Sequence, residues 1–417
     1  MTGSERQART SAVRWAGAAI LVATASLVAT WWQVDPTASA TDEGYYLITY
    51  AEGLRPRGLV GEAARLLGLT PAGFRWMLYA FHVGWAILLG LAVMAGARDD
   101  EGRRAPRAGT AGAILIFLFV YNTPSFLAAG YEFVDPAKDF LLLAAALLLF
   151  GSRTTLATAT AAVLTVLAAM VHEIAVFSAL AITVFVWSRD GWKRALSYAG
   201  PWSIATLAFL ALASARAKHG YAPEDYVANT MDGVRFLYWY SMNLYGLVLA
   251  AGALWLVVAL VAFRFVALRP FGRAGRALAA AAMYATCFAP LIVAWDTNRI
   301  VGMLWLPLLL LVLETRFVAA PSRPLVAVLA AAAALQVFVP AAQIFKHTVY
   351  PMGCYSHRVW SAVAERDDSY DRLARPLRIW PPRPGEQMVI KLQREDVGCA
   401  VTLRPATMAP AAPRLSP

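Results

Sequence analysis

Apolar residues run through this chain in long blocks, and polar residues gather in the gaps. "WAGAAILVATASLVATWW", "LVLAAGALWLVVALVAF" and "PLVAVLAAAAALQVFVPAA" each approach the ~20 residues that cross a ~30 Å hydrocarbon layer. The pattern predicts about eleven spans, at 15–32, 76–96, 109–128, 139–151, 154–170, 172–187, 195–214, 242–263, 277–294, 300–315 and 324–343. The fold class expected is therefore an all-α polytopic membrane protein. A transmembrane domain over 1–343 would carry an interfacial first loop at 33–75, and a small α+β tail would occupy 344–417.

One block decides the register of all later loops. The stretch from Thr154 to Trp187 is 34 residues, which as one helix would run about 51 Å at 1.5 Å per residue. That overshoots the hydrocarbon, and the polar pair His172–Glu173 in its middle marks a break. Reading it as a single span would also turn the basic loops that follow to the other side. Two short spans meeting at His172–Glu173 are expected.

Composition agrees with the pattern. Hydrophobic residues make up 59% of the 417 positions, charged residues 15%, and mean hydropathy is +0.54. A soluble protein of this size keeps roughly a quarter of its residues charged. The net charge of +11 invites a nucleic-acid partner, but its distribution removes that reading. With the N-terminus inside, the inner segments are about three times as dense in Lys and Arg as the outer loops, the signature of orientation in a membrane. Arg6, Arg9 and Arg14 ahead of the first span, with "ASA" at 38–40, weigh a cleaved signal peptide against a retained anchor. The length of the run and the late position of the site favour the anchor.

The tail is expected outside. Cys354 and Cys399 both fall in it, where a disulfide survives, and they are expected to be bonded; Cys287 sits in a span. Val359, Trp360, Val363, Tyr370 and Leu373 have helical spacing, "MVIKLQ" and "VGCAVTL" read as a strand pair, and the Pro/Ala-rich end as unstructured.

Candidate chemistry clusters on the outer side, where most acidic residues fall. The first outer loop holds Asp42–Glu43, then Tyr45 and Tyr46, then Arg55 and Arg57 in "LRPRGLVG". Residues 45–53 and 58–67 read as short interfacial helices with tyrosines at headgroup level. A carboxylate there can take a hydroxyl proton, and guanidinium groups can hold a phosphate as charge builds on it. His172–Glu173 would lie at or just below the headgroups, where an ionisable pair is a functional hypothesis by default; a packing hydrogen bond is its plain alternative. Asp296 and Arg299, in the tight turn "AWDTNRIVG", pair with one another or aim Arg299 at a phosphate. Lys138, followed by Asp139, is a snorkelling span start or a further phosphate contact. Five scattered histidines make a metal site unexpected. The absence of GxxxxGK[ST], GxSxG and CxxC patterns leaves no cofactor or nucleotide chemistry to expect.

The carboxylate pair after the first span, followed by tyrosine, resembles the first outer loop of the polytopic glycosyltransferases of the GT-C type. The resemblance implies inverting transfer of a sugar from a polyprenyl-phosphate carrier to a glycan or lipid acceptor on the outer face of a bacterial inner (plasma) membrane. It implies Asp42 as base, with Glu43 the neighbouring candidate. A lipid-linked glycan polymerase or ligase fits the layout about as well. A transporter or flippase of a glycan or lipid is the rival of a different class, and it would place ionisable groups near mid-membrane and show repeats.

Overall fold

A computed structural model describes residues 3–33, 49–50, 57–97, 106–122, 125, 135–216, 248, 251–267, 273–292 and 297–340, together with 342–345, 348–351, 355–356, 359 and 389–390 of the tail. The described chain is overwhelmingly helical. In order the helices are α1 (Gly3–Gln33), α2 (Gly58–Leu66), α3 (Pro71–Gly96), α4 (Pro106–Val120), α5 (Asp135–Gly151), α6 (Thr155–Val171) and α7 (Ala175–Asp190). They continue with α8 (Trp192–Arg216), α9 (Leu254–Ala267), α10 (Arg273–Phe288) extended by a 3-10 turn Ala289–Ile292, α11 (Thr297–Gly302), α12 (Trp305–Glu314) and α13 (Arg323–Val337). Each of the stretches read as apolar from the pattern overlaps at least one of these helices.

Polar caps sit where the apolar runs begin. Thr70, Thr154 and Ser322 each accept a hydrogen bond from the backbone N–H three residues on, starting α3, α6 and α13. Pro71 at the first turn of α3 loses nothing there, because that N–H has no helical partner. Among the described residues three segments, Val13–Trp32, Pro71–Gly96 and Trp192–Leu212, are long and apolar enough to cross a membrane, and several further apolar helices are shorter. Leu21, Trp32, Ile204, Leu207 and Phe263 lie exposed on the outside of the bundle. Such faces need hydrocarbon rather than water, so the chain is a membrane-embedded protein.

Burial grades from the rim to the centre. In α12 every residue from Trp305 to Leu313 is buried, which an all-apolar helix requires. It packs against α3, α7 and α9. α1, α3 and α4 close in on each other through small residues: Gly90 faces the Ala19 carbonyl, and a Cβ at Gly109 would fall within the Trp15 ring. Close approach through small residues is how helices associate without a hydrophobic drive between them.

In the tail, β1 (Ala342–Phe345) and β2 (Thr348–Pro351) form an antiparallel hairpin, and β3 (Val389–Ile390), within the "MVIKLQ" segment, joins β2 in parallel. The "VGCAVTL" segment expected to pair with it lies outside the described residues, together with most of the expected helix at 356–375. α13 also stops at Val337, short of the expected 343. Pro340 disfavours helical backbone at the residue before it, so the run turns into strand instead. β1 lies beside α11, which puts the sheet at that end of the bundle.

Replacing Gly109 by Ala should destabilise the protein by about 1–3 kcal/mol through overpacking against Trp15. Gly200→Ala, at a position with nothing within 4 Å, should be neutral or slightly stabilising. Thermal unfolding of both variants in detergent reads the difference.

Candidate functional site

α2 begins on a constrained backbone. Arg57 sits in the left-handed region at φ 67° and ψ 8°, a conformation that a residue with a Cβ holds only when its surroundings enforce it. Beside it Gly58 has no room for a side chain, because a Cβ would overlap the Tyr50 ring. Tyr50 donates its backbone N–H to Glu62 Oε2 at 2.9 Å, and Glu62 in turn takes two hydrogen bonds from Arg65. The carboxylate clips the preceding loop onto α2. Tyr50 is therefore a bend and not part of the helix expected over 45–53: its N–H is spent on a side chain. Arg65, first, holds the Glu62 carboxyl below its usual range, with help from the Tyr50 N–H. Burial, and secondarily Glu62, push the Tyr50 phenol up to about 12.

α2 is amphipathic. Val60 and Ala64 join Phe74 and Leu78 of α3, Ala137 of α5 and Val171 of α6 in one apolar cluster. That packing carries Arg57 to the break between α6 and α7. The break falls where the length argument places it: α6 ends at Val171, His172 is extended, and α7 starts at Ala175. Arg57 Nε donates to both carboxylate oxygens of Glu173, at 3.1 and 3.0 Å, and a terminal nitrogen closes the fork on Oε1. The two residues are 116 apart in sequence. His172 is buried, and its Nδ1 accepts the Ile174 N–H at 3.2 Å. An accepting Nδ1 is unprotonated, so its 3.5 Å approach to Glu173 is a polar contact and not an ion pair while the ring is neutral.

A second charged group lies at the head of α5. Lys138 Nζ stands 2.7 Å from Asp139 Oδ1 and 3.3 Å from Asp135 Oδ1, with its side chain 3% exposed. The lysine does not snorkel; it is enclosed between two carboxylates. Asp135 lies in the first turn, where a negative charge suits the helix dipole. Trp305, the first residue of α12, lies close to the Asp139 carboxylate, and Cys287 of α10 lies near Lys138. From Trp305 an aromatic row runs through Trp85 and His82 to Trp31, near the end of α1, with ring centroids 5.5, 5.8 and 6.3 Å apart. Ile174 of the break packs on Cys287, Ile300 and Leu304, so α10 and α11 border the same region.

Arg57, Lys138, His172 and Glu173 are thus brought to one end of the bundle by α2, α5 and the α6–α7 break. Asp42, Glu43, Arg55, Asp296, Cys354 and Cys399 lie outside the described residues, as does the side chain of Arg299, whose backbone belongs to α11. The pattern reading missed Asp135 as a partner of Lys138 and passed over Trp305 and His82. For His82 a signal existed, a lone polar residue inside "LYAFHVGWAILL". For Trp305 there was none, since a tryptophan in an apolar run looks like any core residue. The described cluster holds two cations and three carboxylates, so it is suited to accepting protons and orienting donors. A phosphate would need cations beyond these two. Among the described residues no group of three or more His, Cys, Asp or Glu could hold a metal ion.

No family model, curated protein or solved structure matches the chain.

Arg57 and Glu173 are each about a quarter exposed, and a double-mutant cycle with Arg57→Ala and Glu173→Gln should return a coupling of about 1 kcal/mol; additivity would show that the fork contributes nothing. The Glu62 clip has its own pH signature. A carboxyl titrating below its ordinary range in the folded chain contributes fully above that range, and its contribution disappears as pH falls through the folded value. The protection factor of the Tyr50 amide, its exchange rate relative to the intrinsic rate at each pH, should fall on acidification, and Glu62→Gln should remove that change.

Proposed function

We propose that this protein is a membrane glycosyltransferase that moves a sugar from a polyprenyl-phosphate carrier to an acceptor at the α2 end of the bundle. The proposal places the protein in a bacterial plasma membrane with about eleven spans, the N-terminus inside and the α2 end outside. The observation that carries it is the meeting of Arg57, Glu173, His172 and the Lys138 cluster at that one end, beneath an amphipathic helix of the kind that lies along an interface. The loop feeding α2 is the one whose Asp42–Glu43 and tyrosines resemble the GT-C transferases.

In this reading Asp42 takes the proton from the acceptor hydroxyl as its oxygen attacks the sugar's anomeric carbon. The bond from that carbon to the carrier phosphate breaks, and the phosphate leaves with the carrier. Arg55 and Arg299 supply the cations that the described cluster lacks. Arg57 is held in register by Glu173, so its task is to fix α2 over the break as much as to meet phosphate. His172 and Glu173 border the acceptor side. A glycan polymerase or ligase would use the same groups with a longer lipid-linked acceptor.

One observation favours the transporter or flippase reading. His82 is buried near the middle of α3, within the aromatic row, and ionisable groups at that depth are found on substrate or proton paths.

Asp42→Asn in correctly inserted protein should abolish transfer from the lipid-linked donor, a loss of 100-fold or more for a general base. Arg55→Ala should raise the donor KM. Retained transfer with Asp42→Asn, together with loss of glycan or lipid movement across vesicles on His82→Phe, would replace the transferase by the transporter.

A further inference from the structure

At the end of the bundle opposite α2, a groove of about 740 Å³ runs between α6 and α8. Ala162, Val163, Val166, Leu167 and Ala205 form its walls, and Arg153, Lys193 and Arg194 stand at its mouth. Pro201 lies on the α8 side. It has no N–H to offer the Ser197 carbonyl one turn earlier, which loosens α8 along the groove. From Thr155 to Leu167 the α6 wall climbs twelve residues, about 18 Å. That is close to half of a ~30 Å hydrocarbon layer, so the groove is one leaflet deep.

Cations outnumber acids at the mouth. The acid there is Asp190, whose side chain is 3% exposed and is already engaged by Arg153 and Arg194. Arg194 also donates to the Leu149 carbonyl, so it is partly committed to tying α8 to the end of α5. Arg153, 71% exposed at the side chain, and Lys193 present their charge outward. Trp187 and Trp192 are 50% and 60% exposed on the same corner between α7 and α8, and tryptophans so placed mark the headgroup level. An apolar channel one leaflet deep, capped by cations at headgroup height, has the shape and charge of a lipid.

We propose that this groove binds a phospholipid with an anionic headgroup, its phosphate against Arg153 and Lys193 and one acyl chain along Ala162, Val166 and Leu167. Basic pockets between helices on the positively charged side of a membrane protein recognise such headgroups. A free phosphate ion would leave the apolar walls uncovered. The site rests on the membrane reading alone and is independent of the transferase proposal.

Native mass spectrometry of the full chain, with phosphatidylglycerol and phosphatidylcholine supplied in equal amounts, tests it. The wild-type protein should retain phosphatidylglycerol about ten-fold or more in preference. Lys193→Gln, which leaves the Asp190 pairs intact, should lower that preference several-fold, and the double variant Arg153→Gln/Lys193→Gln should abolish it. Val163→Trp fills the groove from an exposed position and should expel the lipid without touching the charges. Arg323→Gln, a cation away from the groove, should change nothing. Equal retention of the two lipids, unchanged preference in the double variant, or lipid retained by Val163→Trp would overturn the proposal. So would displacement of the lipid by millimolar inorganic phosphate, which would show that the cations alone make the site.

Discussion

A hydrocarbon layer about 30 Å thick cannot hold a helix of 34 residues upright, and much of this protein follows from that limit. The chain between Thr154 and Trp187 has to break, and it breaks at its polar residues. His172 takes extended backbone there, its ring captures the Ile174 N–H, and Glu173 is left facing the end of the bundle. Once a carboxylate stands at that height, a cation beside it lowers the penalty of keeping it half-buried. Arg57 supplies one from 116 residues away, at the cost of a left-handed backbone. The break, the strained residue and the forked pair form a single arrangement.

The two ends of the bundle satisfy their charges differently. At the α2 end, carboxylates and cations balance among the described residues and pair with one another, and Lys138 is enclosed by Asp135 and Asp139. At the opposite end, arginines dominate and reach for backbone carbonyls: Arg189 to Phe150, Arg194 to Leu149, Arg276 to Phe265. Carbonyls at the ends of α5 and α9 lack helical N–H partners, and a guanidinium provides them. One end therefore gathers acid–base groups and the other gathers cations at a headgroup surface. The proposed reaction lies at the first, the proposed lipid at the second.

Much of the helical framework was legible in the linear pattern because it rests on local quantities. Span positions follow from runs of apolar residues, helix starts from Thr70, Thr154 and Ser322, and the break from length alone. The Lys138–Asp139 and His172–Glu173 pairs were visible for the same reason, as charges set where charges are expensive. What was not legible concerns pairing across distance. No spacing rule connects residue 57 with residue 173, or Asp139 with Trp305. The tail shows the same limit: alternation in "MVIKLQ" pointed to a strand but not to its pairing with β2.

The order of residues by itself determined that this chain lives in a membrane, roughly where its helices lie and which face carries positive charge. Those properties are sums over short windows, and the transfer free energy of a window does not depend on what it packs against. Tertiary structure alone decided that α12 is buried throughout, that Arg57 forks onto Glu173, that Lys138 is enclosed rather than snorkelling, and that α6 and α8 part to leave a groove. These depend on which helices are neighbours and how they are rotated about their axes. Many apolar faces are nearly equivalent in hydrocarbon, so small residues such as Gly90 and Gly109, together with a few polar contacts, make the choice.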